Sequence, residues 1–170
     1  MKLLLAYLST CWFRKNPAEL TPPVSFMWKN VAFYLISGFI VEGLIADPVE
    51  GPLEVMGRIT MAFSSIAALL LYEKKWPYFS RLYTSIFVCE NFIMTLAVCV
   101  EALYFWMVMN HHPYYEEIST GLGIFLVVWY VTIVAYIFRR FFNQSISVSL
   151  IFAFSYFVLT YGMPMMLMDM

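Results

Sequence analysis

Apolar residues run along the chain in five blocks, separated by short clusters of Pro, Gly, Asn and charged residues. The blocks are Ser25 to Ala46, Leu53 to Tyr72, Leu82 to Met109, Ile118 to Phe138 and Ser145 to Met168. A helix rises about 1.5 Å per residue, so a run of about 20 apolar residues crosses the hydrocarbon of a bilayer. The pattern predicts an all-α, polytopic integral membrane protein: a five-helix transmembrane domain over residues 25–168, behind an N-terminal segment over residues 1–24. No internal repeat accompanies the blocks, and their odd number argues against a simple inverted duplication.

The N-terminal segment reads MKLLLAYLSTCWFRKNPAELTPP. Its short apolar run ends in Leu8-Ser9-Thr10-Cys11, which imitates a lipoprotein signal. Only one positive charge precedes the run, however, and Thr10 is bulkier than the residue that normally stands before a lipidated cysteine. The segment is read instead as an interfacial helix from Lys2 to Phe13. Trp12 and Phe13 would sit at headgroup level, with Arg14 and Lys15 beside anionic lipid. Pro17, Pro22 and Pro23 break the chain before the first span.

Charge then orients the spans. Lys2, Arg14 and Lys15 precede the first, Lys74, Lys75 and Arg81 separate the second from the third, and Arg139 and Arg140 separate the fourth from the fifth. The remaining links are acidic and turn-rich, Asp47 to Pro52 and Asn110 to Glu117. By the positive-inside rule the N-terminus is cytoplasmic and the C-terminus outside, and a bacterial inner membrane is the expected location.

The third block carries two carboxylates, Glu90 and Glu101. Eleven residues at 100° each return to within about 20° of the same face, roughly 16 Å further along the helix. Burying an acid in lipid costs about 2.5 to 3.5 kcal/mol at a helix centre, so this face is expected to look onto protein. Arg58 of the second block and Glu42 of the first lie at a depth similar to that of Glu101. Arg58 is thus expected either to bridge Glu42 and Glu101, or to reach the outer headgroups and pair with Glu54 one turn earlier on its own helix. Lys29 and Glu90 form a second possible pair nearer the cytoplasm, unless Lys29 simply reaches water. The small residues Ala62, Ser64, Ser65, Ala67 and Ala68 predict a central position for the second span, and Gly38 and Gly43 allow close approach to the first.

Composition excludes several classes. The chain is 62% hydrophobic and 12% charged over 170 residues, more apolar surface than a soluble domain of this size hides. A net charge of −1 with no basic patch argues against nucleic acid. The three cysteines, Cys11, Cys89 and Cys99, have neither disulfide nor zinc spacing, and the last two are read as small buried hydrophobes. No span contains the histidine that intramembrane haem needs. His111, His112, Glu116 and Glu117 are metal-ligand types in a surface link, where adjacent histidines are usually solvated. No nucleophile, metallopeptidase or phosphate-binding motif is present, so no enzyme activity and no cofactor are expected.

The run Phe13-Arg14-Lys15-Asn16-Pro17-Ala18-Glu19-Leu20-Thr21-Pro22, followed by five closely connected spans, resembles the opening and plan of the bacterial type of Yip-like small membrane proteins. The resemblance covers the topology and this short stretch. It implies a five-span fold and no chemistry, and the Asp-Leu-Tyr-Gly-Pro motif of the eukaryotic family is absent. The sequence expectation is a non-catalytic structural or accessory subunit, in contact with membrane lipids and other integral membrane subunits. The alternatives are a small proton- or ion-coupled transporter using Glu90 and Glu101, and a lipid-interacting protein that uses its N-terminal helix.

Overall fold

The computed structural model describes residues 2–45 and 50–168, and these fold as helices with no strand among them. A short helix α1 (Lys2–Cys11) is followed by α2 (Val24–Ile45), α3 (Glu50–Tyr72), α4 (Phe79–Met109), α5 (Tyr115–Phe142), α6 (Ile146–Phe157) and α7 (Met163–Met168). Five helical stretches are long and apolar enough to cross a membrane: Val24–Glu42, Gly51–Tyr72, Trp76–Met109, Tyr115–Phe142 and Ile146–Met166. The chain is therefore a five-span helical membrane protein with an additional N-terminal helix. Of the predicted Asp47 to Pro52 link, Asp47, Pro48 and Val49 lie outside the described residues, whereas Gly51 and Pro52 belong to the first turn of α3.

Local signals set the helix ends. Asn16 accepts a hydrogen bond from the Ala18 amide at the head of the short turn Pro17–Glu19, where a proline is tolerated because its missing donor would have been unpaired. Ser145 caps α6 by accepting from the Val148 amide. Phe13, Lys74 and His111 stand just beyond α1, α3 and α4 with φ of 60°, 54° and 53°. In each case the next amide reaches back five residues, as from Arg14 to the Ser9 carbonyl at 3.1 Å. That closure satisfies the last carbonyls of a helix, and glycine usually holds the left-handed position. A bulky Phe13 there costs about 1–2 kcal/mol, which its packing must offset; its ring meets Tyr136 edge-on at 5.4 Å.

α4, and not α3, is the centre of the bundle. Every residue from Leu82 to Asn91 is buried, while Ser64 and Ala68 of α3 face outward. The small residues of α3 fail to make it central because α1 covers the side of α4 that α2, α3 and α5 leave open. Gly38 does serve a close approach: a Cβ there would stand 2.9 Å from Cγ1 of Val55, so the α2–α3 contact admits only glycine at this distance.

The expected N-terminal helix is present as α1, and its end packs on the bundle. Trp12 stacks on Trp129 at 4.8 Å and meets Phe92 edge-on at 5.6 Å, near the midpoints of α5 and α4. The Trp129 indole donates to the Cys11 carbonyl at 3.2 Å, and Tyr7 stacks on Phe26 at 5.7 Å. Aromatic stacking and a part-buried hydrogen bond hold one side of this segment on the bundle, while Trp12 and Phe13 stay 48% and 42% exposed. Arg14 and Lys15 are exposed, and beyond them Arg81 donates to the Ala18 carbonyl.

Cys11 and Cys89 are both buried, with their sulfurs 3.1 Å apart, whereas Cys99 is exposed, contrary to its reading as a buried hydrophobe. Mild oxidation is expected to close an intramolecular Cys11–Cys89 disulfide, seen as a reducible shift in gel mobility. Cys11→Ser or Cys89→Ser should abolish the shift and Cys99→Ser should leave it. Failure of folded protein to cross-link would displace α1 from α4.

Candidate intramembrane site

The last span is interrupted near its middle. Between α6 and α7, Val158–Gly162 forms a turn of π-helix, with the Met163 amide reaching the Val158 carbonyl. Pro164 explains the break: it cannot donate to the carbonyl four residues earlier, and its ring would clash with that carbonyl in a regular helix. One extra residue in the turn relieves both problems. Gly57 accommodates the result, since a Cβ there would stand 3.3 Å from Pro164. The sequence places Gly162 and Pro164 near the outer end as a terminator or bend; in the fold they re-aim Tyr161 inward.

Tyr161 donates to Glu90 Oε1 at 2.6 Å. Glu90 is 1% exposed, and its second oxygen has no partner among the described residues. On the other side of Tyr161, the Arg58 guanidinium lies 5.1 Å from the ring centroid. Arg58 bonds Glu42 across the α2–α3 contact at 2.7 Å and Glu54 on its own helix. Both of its terminal nitrogens are thereby occupied.

The expected bridge from Glu42 through Arg58 to Glu101 is accordingly replaced by Glu42–Arg58–Glu54, because the (i, i+4) acid is nearer than one on a third helix. Glu101 makes no ion pair among the described residues, yet it lines the same cavity as Glu90, on the face that the eleven-residue spacing predicts. The Lys29–Glu90 pair is absent among the described residues. Tyr34 faces Glu90 across the cavity, and Lys29, five residues before it, points about 140° away. Lys29 is exposed and borders a separate surface cleft with Leu4, Leu8 and Asn91.

The cavity occupies about 350 Å³ between α2, α3, α4, α5 and the π-helical turn. Tyr34, Glu42, Arg58, Glu90, Glu101, Tyr130 and Tyr161 line it, with apolar side chains such as Met94, Ala97 and Leu126 between them. Below Glu90 the bundle is closed by Tyr83, Ile86, Phe87, Ile133 and Phe138, all buried. The Tyr130 hydroxyl is also buried and without a partner among the described residues. Charge alone does not single out these tyrosines in the sequence as partners for the buried acids. A phenol carried on an apolar helix is a donor of the same reach, and that would have been the signal.

At the other end of α4, His111, His112, Glu116 and Glu117 are exposed. His112 Nδ1 accepts from the Tyr114 amide, and Glu116 and Glu117 fall in the first turn of α5, where the helix dipole favours acids. No group of three or more metal-ligand side chains forms among the described residues.

No protein-family model, no curated protein and no solved structure matches the chain. Its function has to be read from the residues themselves.

Proposed function

We propose that the chain is a small proton- or ion-coupled carrier in which Glu90 is the exchanging group and the cavity above it is the path. The single observation that carries this reading is the Glu90 carboxyl. It is buried at mid-bundle, held by Tyr161 at one oxygen and without a partner among the described residues at the other, in a cavity shared with Glu101. An intramembrane acid is costly, and one oriented by a hydrogen bond within a cavity is suited to take up and release a proton or cation. The π-helical turn that aims Tyr161 is a local departure of the sort found at functional sites.

Basic residues support an orientation. Arg14, Lys15, Lys75, Arg81, Arg139 and Arg140 belong to one end of the bundle, where Lys75 donates to the Phe141 carbonyl and Arg81 to that of Ala18. With that end cytoplasmic, in a bacterial inner membrane, Glu42 and Glu101 lie toward the outside and Glu90 at the blind inner end of the cavity. An accessory subunit has less to support it. The exposed aromatic side chains, Phe105, Trp106, Phe125 and Phe154 among them, suit lipid as well as a partner.

The test is reconstitution into vesicles enclosing a pH-sensitive dye. With a potassium diffusion potential as driving force, vesicles holding the protein are expected to change internal pH faster than empty ones. A rate equal to that of empty vesicles at both polarities, with a pH-sensitive and with a sodium-sensitive dye, would end the proposal.

A further inference from the structure

The cavity has a chemical preference. Its walls and the groups bonded to them hold four carboxyls, Glu42, Glu54, Glu90 and Glu101, against one guanidinium, Arg58. The terminal nitrogens of Arg58 are committed to Glu42 and Glu54, and only its Nε is without a partner among the described residues, so carboxyls outnumber the free donors of the one cation. An anion would be repelled, and a neutral ligand would leave the acids unanswered.

The aromatic lining narrows the class further. Tyr130 meets Phe157 edge-on at 6.3 Å and Tyr161 at 6.1 Å, while Phe157 stacks on Tyr161 at 5.2 Å. Ring faces attract soft cations, and this cluster already holds one, the Arg58 guanidinium over Tyr161. A hard metal ion is poorly served, because it needs about six converging oxygens and the two unpaired acids stand roughly 16 Å apart along α4. The space of about 350 Å³ is at the lower end for small-molecule sites.

We infer that the cavity is a binding site for a small monovalent organic cation, an amine or quaternary ammonium, seated against Tyr130 and Phe157 beside Glu90, with Glu101 attracting it from further along the cavity wall. One feature points to a ligand here beyond the count of acids: the Glu90 oxygen and the neighbouring Tyr130 hydroxyl are both without a partner among the described residues, in side chains at most 3% exposed on the cavity wall. As the cargo of the proposed carrier, the cation rests on that reading; as a bound ligand it is tested separately.

The experiment titrates the purified full chain in detergent with choline and with its uncharged isostere 3,3-dimethylbutan-1-ol. Choline is expected to saturate at one site and to bind at least about tenfold more tightly than the isostere, since only the charged ligand gains from desolvated ring faces and a nearby carboxyl. Glu101→Gln should weaken choline several-fold. Ala97→Phe, which fills the cavity without changing its charge, should abolish binding in protein that still unfolds cooperatively. Glu116→Gln, in the outer surface turn, should change nothing. Equal affinity for choline and the isostere, or no saturation by folded protein, would overturn the inference. Proton flux without choline binding would end the cation site and leave the carrier standing. Choline binding without flux would support the site and end the carrier.

Discussion

Replacing Glu90 by Gln is expected to leave the protein folded and reduce its potential-driven proton flux to the level of empty vesicles. The amide oxygen still accepts from Tyr161, which now donates 2.6 Å to the carboxyl, so the inward position of the π-helical turn is kept. What disappears is the exchangeable proton. The amide nitrogen enters a place where the carboxyl oxygen had no partner, and the Tyr130 hydroxyl on the same wall is free to receive it. Stability should therefore change by no more than about 1 kcal/mol, the usual scale of one hydrogen bond gained or lost. Thermal unfolding in detergent checks the first half of the expectation, and the dye assay checks the second. Normal flux from a folded Glu90→Gln protein would remove Glu90 from the path. Glu90→Asp should retain part of the flux: it keeps the proton, but its side chain is one methylene short of the Tyr161 contact.

The second large effect concerns stability. Arg58→Leu strands two carboxylates, Glu42 and Glu54, whose side chains are only 16% and 17% exposed. Breaking a buried ion pair from one side costs about 3–5 kcal/mol, chiefly because the remaining charge is left in a poor medium. The residual exposure places this site at the low end, about 3 kcal/mol, which for a chain of this size lowers the midpoint of unfolding by roughly 6–12 °C. Glu42→Gln alone should cost less, since Arg58 keeps Glu54 and the face of Tyr161. Combining Arg58→Leu with Glu42→Leu and Glu54→Leu should recover much of the loss, and this non-additivity is the sign of a network. Equal midpoints for Arg58→Leu and the unaltered chain would mean that the three groups are solvated separately.

How much of this was legible in the sequence depends on which physical quantity had to be known. The spans followed from length and apolarity, and their ends shifted by a few residues because capping side chains and left-handed turns fix them locally. The shared face of Glu90 and Glu101 followed from helical spacing, which holds inside a regular helix. Tyr161 did not, because one added residue in the π-helical turn rotates everything beyond it by about 100°. The Lys29–Glu90 and Arg58–Glu101 pairings failed for a different reason. Depth was matched along the membrane normal, but partners also have to share an azimuth, and Lys29 lies on the wrong side of α2. The choice of α3 as centre failed because small residues allow a close approach without specifying one. The docking of α1, with its Cys11–Cys89 contact, depends on shapes that exist only once α4 and α5 are side by side.

That dependence sets an order of events at the ribosome. Trp12 leaves the exit tunnel long before Trp129, its stacking partner, and Cys11 long before Cys89. At about 5–20 residues per second the interval between the two tryptophans is roughly 6–24 s. During it α1 can meet Phe26 of α2 and then Cys89 of α4, but the tryptophan stack that fixes its end has no second ring. α1 thus waits for helices made well after it, and it closes over the flank of α4 only once α5 stands beside α4.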